Sequence, residues 1–418
     1  MELILNNLTR QNSSIFHTPR PLVCVQGLGF VGTAVATVIA NAKNAQGKLL
    51  YNVVGIDLPT RNTLYQAMNS GSLPLQNTDP TFKQEFRSAV VNNKNLFATD
   101  DATVLSEASV VICDVNLDII KLSEDHQFEL KKTNYLRAIQ TIGENIPPDC
   151  LILIESTVPP GFCQKIIYPL IKELFTKRQL TSEPLIAHSF ERVMPGENYL
   201  DSIRNFHRVL AANSIAAKER AKSFLESFIN TQEYPLTLED STDTSELTKI
   251  LENSYRAMNI AFIYEWTLLA EKAGINLFNV VKSIRKRPTH RNIMLPGFGV
   301  GGYCLTKDAL LAAWSCKELY DHDYGLPLSM ESIRINYKMP LHTLDLILSQ
   351  QSISEKRILL VGVSYREEVG DTRFSAAEIF ARKAISMGAE IYFHDPFVPE
   401  WSELPEAKKV TSLEKAPS

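Results

Sequence analysis

The segment VCVQGLGFVGTAVATVIAN, residues 23–41, sets Gly27, Gly29 and Gly32 in G-x-G-x-x-G spacing between an apolar run and an apolar helical pattern. A second apolar run, VVGID (53–57), ends in Asp57 about 25 residues after Gly32. Such glycines permit a tight turn and bring backbone amides against a diphosphate, at a helix start that carries partial positive charge. A carboxylate at Asp57 suits the hydroxyls of a ribose and opposes a 2′-phosphate, so the expected cofactor is NAD rather than NADP. Gly27, Gly29, Phe30, Val31, Gly32 and Asp57 are the expected cofactor-binding residues. The alternative is a tight strand–helix turn with no ligand. The spacing to Asp57 is a little long, consistent with an insertion at KNAQGKLL (43–50).

Around this motif the chain alternates apolar runs with helical patterns. LVCVQ (22–26), VVGID, SVVICDV (109–115), LILIES (151–156), PLIAHS (184–189) and HRVLAA (207–212) are apolar or β-branched throughout. Runs of that kind are expected of strands buried on both faces of a parallel sheet, and the helices between them predict a doubly wound domain. From Thr242 the pattern changes: no Gly or Pro interrupts the chain until Gly274. Leu247, Ile250, Leu251, Met258, Phe262, Trp266 and Leu269 recur there at helical spacing, which predicts one long helix of the sort that joins domains or forms a dimer interface. More helix follows to about residue 350, and KRILLVGVSY (356–365) returns to strand–turn–helix order. The fold class expected is α/β, with a polar extension (1–20), a Rossmann-like NAD-binding domain (21–212), a central helical domain for dimerisation and catalysis (213–350), and a smaller C-terminal α/β domain (351–418) that reads as incomplete.

Composition narrows the function. The 418 residues are 44% hydrophobic and 22% charged, with a net charge of −4. Nothing there favours nucleic acid or an anionic membrane as a partner. The N-terminus lacks the basic start and apolar core of a signal peptide, and no run of about 18 apolar residues predicts a membrane span. The six cysteines are scattered, with no C-x-x-C pair, so the expectation is a reduced, cytoplasmic protein with neither disulfides nor a metal site.

Four further motifs carry chemistry. PGFGVGGYCLTKD (296–308) strips side chains from a loop and ends it in Cys304, Lys307 and Asp308, so the glycines are expected to leave the approach to the thiol open. In ELTKILEN (246–253) Lys249 and Asn253 are four apart and share a helix face. ESTVPPGF (155–162) and SFERVMPGE (189–197) follow two of the strands.

With these motifs in this order, the chain resembles the UDP-glucose/GDP-mannose dehydrogenase family from about residue 20 to the end. The resemblance implies NAD-dependent oxidation of the C6 alcohol of a nucleotide sugar to a carboxylate by two hydride transfers, in a homodimer built on the long helix. It implies that Cys304 is the nucleophile that holds the aldehyde. Lys249 would stabilise the C6 alkoxide, with Asn253 fixing a water or an oxyanion. Asp308 would be a base or orient a water, Glu191 would serve thioester hydrolysis, and Thr157 would position water beside the cofactor. Arg373 matches the arginine of the family that contacts cofactor phosphates. For the substrate, it points to Glu191, Arg192, Lys249, Asn253, the loop glycines Gly299, Gly301 and Gly302, Lys307, Arg291 in IRKRPTHR (284–291), and Arg366 in GVSYREEVGDTRFS (362–375). ERVMPG and PGFGVGGYC lean toward the UDP-N-acetylhexosamine branch, with UDP-glucose and GDP-mannose as the other substrates.

The chain also departs from the family. Phe190 stands where the family has proline, and CDVNLD (113–118) replaces a proline-rich loop, placing Asp114 and Asp118 near an anionic cofactor. These departures admit a catalytically impaired nucleotide-sugar-binding homologue. A β-hydroxyacid dehydrogenase of related fold would keep the lysine but have no use for Cys304.

Overall fold

The computed structural model describes residues 16, 18–75, 79–121, 128–193 and 196–415. The N-terminal extension lies largely outside the described residues, as do Met194 and Pro195. The chain divides into two compact units, 1–118 with 130–249 and 119–129 with 250–418.

In the first unit β1 (Leu22–Gln26) is wholly buried and leads through the glycine turn into α1 (Phe30–Ala40). Residues 32–40 of α1 are all buried. Val and Thr are mediocre helix formers, so packing on both sides holds this helix rather than propensity. Beside β1 run β2 (Asn52–Ile56), β3 (Leu96–Thr99) and β4 (Ala108–Cys113). The sheet continues with β5 (Leu151–Ile154), β6 (Leu185–His188), β7 (Val209–Ala212) and β8 (Thr237–Leu238) in the order β8-β7-β6-β5-β4-β1-β2-β3. Register is set by runs such as Val23 opposite Val53 and Val25 opposite Ile112. Helices α2 (Asn62–Asn69), α3 (Thr133–Asn145) and α4 (Tyr168–Lys177) lie between successive strands of this sheet along the chain.

Two features differ from expectation. β3 was not legible, because LFAT is four residues long and alternates between buried and half-buried positions. The sheet is also not parallel throughout: β7 lies antiparallel to β6, with Ala187 opposite Ala212. An edge pair can reverse direction when its outer neighbour is short, as β8 is here.

The long helix α5 (Thr242–Ala273) is continuous, and the division between the units falls within it, after Lys249. The second unit contains α6 (Asp308–Tyr320), α7 (Pro327–Leu348) and a parallel sheet of β9 (Arg357–Val361), β10 (Glu390–His394) and β11 (Lys408–Lys409). Helix α8 (Ala376–Ser386) links β9 to β10. The core there is broader than two strands suggest: Trp401, Phe393, Ile391 and Phe380 pack with Leu344 of α7. The small sheet therefore leans on a central helix.

Candidate active site

The glycine turn is built as a cofactor cradle. Gly27 has φ +104°, and a Cβ there would lie 2.4 Å from the Asp114 carbonyl oxygen. A Cβ on Gly32 would come 1.9 Å from the Gly27 carbonyl oxygen, so α1 sits directly on its own turn. Gly29, the N-cap of α1, faces open space instead. Outer glycines closed by packing and a middle glycine open to approach is the arrangement a diphosphate needs. Asp57 is held beside it: Oδ2 accepts from the Leu28 amide at 2.9 Å and from Arg61 Nη1 at 2.7 Å, and Oδ1 accepts from the Leu58 amide. Arg61 was not singled out from sequence, although its position four residues after Asp57 on the following helical turns is the signal for it. The strand order reverses between β1 and β4, so the turn after β1 opens at a topological switch point.

Farther along the same unit the residues after β5 and β6 form a charged cluster. Ser156 Oγ donates to the carbonyls of Cys113 and Val115, which ties the turn carrying the half-buried Thr157 to the end of β4. Glu155 and Arg208 make a buried ion pair, and each keeps one polar atom without a hydrogen-bond partner among the described residues. Lys249 Nζ donates to the Glu191 carbonyl at 2.8 Å and stands 5.3 Å from the centre of the Phe190 ring. Phe190 itself is fully buried and carries Arg192 over its face at 4.9 Å. The ring at this departure from the family is thus a platform for two cations. The Glu191 carboxylate turns back to accept the Val193 amide.

Two residues that sequence reading missed support this cluster. His188, at the end of β6, is fully buried; Nδ1 contacts Ser245 Oγ at 2.8 Å and Nε2 has no partner among the described residues. Burial pushes its pKa down to about 4, so the ring is neutral. Glu246 accepts from the amides of Gly161 at 2.6 Å and Cys163 at 2.9 Å, and burial lifts its carboxyl to about 7. Both looked like ordinary members of a strand and a helix.

In the second unit Cys304 is exposed in the turn before α6, and its carbonyl accepts the amides of Lys307 and Asp308. The other cysteines are buried, except Cys316, which is half-buried. Asp308 opens α6 as its first residue, with Lys307 as the N-cap. It is 1% exposed; Oδ1 pairs with Lys307 at 2.9 Å and Oδ2 accepts from Asn253 Nδ2 at 2.7 Å. Both oxygens are thereby committed to holding an amide and an ammonium in place. Lys307 Nζ lies 4.5 Å from the centre of the Tyr303 ring. Arg373 grips Asp371 with two parallel bonds of 2.9 and 2.7 Å. Arg291 and Arg366 are exposed, and among the described residues no hydrogen bond ties either side chain to this network.

The loop glycines answer to packing more than to access. A Cβ on Gly301 would lie 2.8 Å from the Phe374 carbonyl oxygen and one on Gly302 2.7 Å from the Tyr365 ring. Gly299 is closed by Ala376 and Pro340. Their missing side chains let the loop lie on the segment around Tyr365 and Phe374, while Cys304 stays exposed. Gly297 faces open space. A cavity of about 430 Å³ nearby is lined by Leu305, Thr306, Asn336 and Phe374 but not by Cys304. Among the described residues no helix is long and apolar enough to cross a membrane.

A doubly wound sheet with a glycine cradle and an acidic partner for ribose defines a dinucleotide-dependent oxidoreductase. The NAD-binding domain of the UDP-glucose/GDP-mannose dehydrogenase family matches residues 21–229, and the central domain of that family matches residues 243–338. The chain is 31% identical over 382 residues to a UDP-N-acetyl-D-mannosamine dehydrogenase of Pyrococcus horikoshii, covering 90% of this chain and 84% of the relative. A second relative of that name, from Methanococcus maripaludis, is 28% identical over 377 residues, covering 90% and 79%. Among solved structures, the UDP-D-ManNAc dehydrogenase of P. horikoshii superposes with a TM-score of 0.77 at 30% identity, covering 90% of this chain and 84% of that one. A UDP-glucose dehydrogenase from Pyrobaculum islandicum shares the fold, with a TM-score of 0.79 at 20% identity, covering 96% and 88%. This chain belongs to the UDP-glucose/GDP-mannose dehydrogenase family, with NAD as its cofactor.

Proposed function

We propose that the chain oxidises the C6 hydroxyl of a UDP-N-acetylhexosamine to the uronic acid, in two hydride transfers joined by a covalent intermediate on Cys304. The observation that carries this reading is an exposed thiol at the head of α6, beside an Asp308 whose two oxygens hold Lys307 and Asn253. The names of the relatives favour the hexosamine substrate.

Bound NAD supplies the hydride acceptor for both oxidations. In this reading the C6 hydroxyl gives its proton to a water molecule as the hydride leaves, and Lys249 stabilises the alkoxide, with its ammonium already aimed by the Glu191 carbonyl. The Cys304 thiolate adds to the resulting aldehyde carbon, forming a C–S bond and an oxyanion, for which Asn253 offers an amide donor. Loss of a second hydride from that carbon leaves a thioester. Water, positioned by Thr157 and deprotonated with the help of Glu191, cleaves the C–S bond and returns the thiol and the carboxylate product. Asp308, its oxygens occupied, orients Asn253 and Lys307. Gly27, Gly29, Phe30, Val31, Gly32, Asp57, Thr157 and Arg373 are assigned to the cofactor. Arg192, Arg291, Gly299, Gly301, Gly302, Lys307 and Arg366 are assigned to the nucleotide sugar, the glycines through their backbone. The exposed apolar side chains on α5 support a homodimer, and the buried, unpaired thiols of the first unit suit a cytoplasmic location.

The test is oxidation of a panel of UDP- and GDP-sugars with NAD, followed by NADH absorbance. The expected result is two NADH per molecule of a UDP-N-acetylhexosamine. Turnover with none of the sugars would defeat the proposal, and preference for UDP-glucose or GDP-mannose would move the substrate within the family.

A further inference from the structure

The turn that receives the diphosphate has a carboxyl group built against it. Asp114 follows β4, the neighbour of β1 at the switch point, and is half-buried there. The Gly32 amide, in the first turn of α1, faces the Asp114 carboxyl and favours its charged form. A Cβ on Gly32 would lie 3.0 Å from Asp114 Oδ2, and one on Gly27 2.4 Å from the Asp114 carbonyl oxygen. Backbone and side chain of Asp114 are therefore both packed onto the glycine turn. The first-turn amides and the positive end of α1 are what an anionic ligand uses, and a carboxylate in that place competes for the same field.

The charges facing Asp114 relieve it only in part. Glu155 reaches it from the end of β5 and Glu191 from the loop after β6. Arg208, from just before β7, is the nearby cation, but it is committed to Glu155. Lys249 of α5 acts on Glu155 and is engaged by the Glu191 carbonyl. Burial first, then the two neighbouring carboxylates, push the Asp114 carboxyl well above the usual range. Adding the two negative charges of a diphosphate to the same turn acts in the same direction.

We propose that Asp114 sets the affinity for the cofactor: the dinucleotide binds with this carboxyl protonated, so binding takes up a proton and weakens as pH rises. The inference rests on NAD as cofactor and is independent of which sugar is oxidised. The neutral carboxyl removes a like charge from the diphosphate site and keeps an O–H to donate.

ADP-ribose is the probe, since it carries the diphosphate and both riboses without a nicotinamide. Its binding to the wild-type chain is measured by titration calorimetry between about pH 6 and 9, in pairs of buffers with different heats of ionisation. One coupled proton gives a loss of affinity that approaches about tenfold per pH unit at the alkaline end. The buffer pairs should then report uptake approaching one proton per ligand. Asp114→Asn keeps the shape and cannot ionise; it should bind with little dependence on pH and at least about tenfold more tightly than wild type at the alkaline end. Wild-type binding that is flat in pH with no proton uptake would overturn the proposal, as would an Asp114→Asn chain that keeps the wild-type slope. If that variant does not fold, the wild-type buffer pairs decide alone. Failure of ADP-ribose to bind at any pH would overturn this proposal together with the cofactor assignment beneath it.

Discussion

Replacing sulfur with oxygen in Cys304→Ser preserves the turn and removes the strong nucleophile. Acid formation should fall by a factor on the order of 10³ or more, with any products stopping at the first oxidation level. An undiminished rate of two-step oxidation would show that the thiol does not carry the substrate. Lys249→Ala should slow turnover by roughly 10²–10³, the scale of a lost oxyanion donor, while ADP-ribose binding is retained. Loss of both together would reveal a folding role, since Lys249 also anchors the Glu191 carbonyl. His188 makes a prediction about stability. Its folded pKa, about 4, lies below the ordinary 6.5, so the unfolded chain takes up this proton first as pH falls. Folding stability should therefore drop from about pH 6.5 toward 4, by at most about 3 kcal/mol from this group. Glu246, lifted to about 7 from 4.5, works in the opposite sense and costs stability as pH rises across that interval. Because the two windows overlap and oppose, the pair should largely cancel in the wild type; in denaturant titrations at several pH values His188→Asn should uncover the Glu246 contribution, with stability rising as pH falls from about 7 to about 4.5.

The loop at 296–308 shows how elements impose residue identity. Gly302 combines φ +86° with a Cβ position 2.7 Å from the Tyr365 ring. Gly302→Ala should cost about 1–3 kcal/mol, part from the left-handed backbone and part from the clash. Tyr365→Ala in the same chain should recover the steric part but not the backbone part, and a double-mutant cycle by thermal denaturation separates them. A Gly302→Ala chain as stable as wild type would mean that the loop does not lie on Tyr365 in solution. In α1 the same logic is stricter. Gly32 is opposed at 1.9 Å by a backbone carbonyl, which cannot rotate away as a side chain can.

For the whole molecule, the open question is what covers α5. Leu251, Phe262, Trp266 and Leu269 are 60%, 47%, 49% and 56% exposed on one helix, a density of apolar surface that an isolated chain in water rarely leaves bare. The homodimer proposed above predicts that the wild type sediments as a dimer and Trp266→Glu as a monomer at micromolar protein; a monomeric wild type would defeat the dimer, and a variant that stays dimeric would place the interface elsewhere. From sequence these residues and the buried Ile250 read as one stripe, because periodicity reports a helix and not which of its faces meets another chain. The nucleotide turn, the long helix and most strands were legible because each rests on short-range rules: glycine spacing, unbroken apolar runs, and the distance between helix breakers. Cys304 and Lys249 stood out for the same reason, as reactive side chains in local patterns. The antiparallel β7, the Phe190 platform and the His188–Ser245 and Glu246 anchors were not legible; the family resemblance placed Asp114 near the cofactor but not its carboxyl against the Gly32 amide. Each depends on residues brought together by the path of the chain over tens of positions, from Gly32 to Asp114 or from His188 to Ser245, and spacing along a sequence carries no information about such approaches. Local stereochemistry is written in neighbouring residues, whereas the electrostatics of the site comes from burial and from which charges the fold makes neighbours.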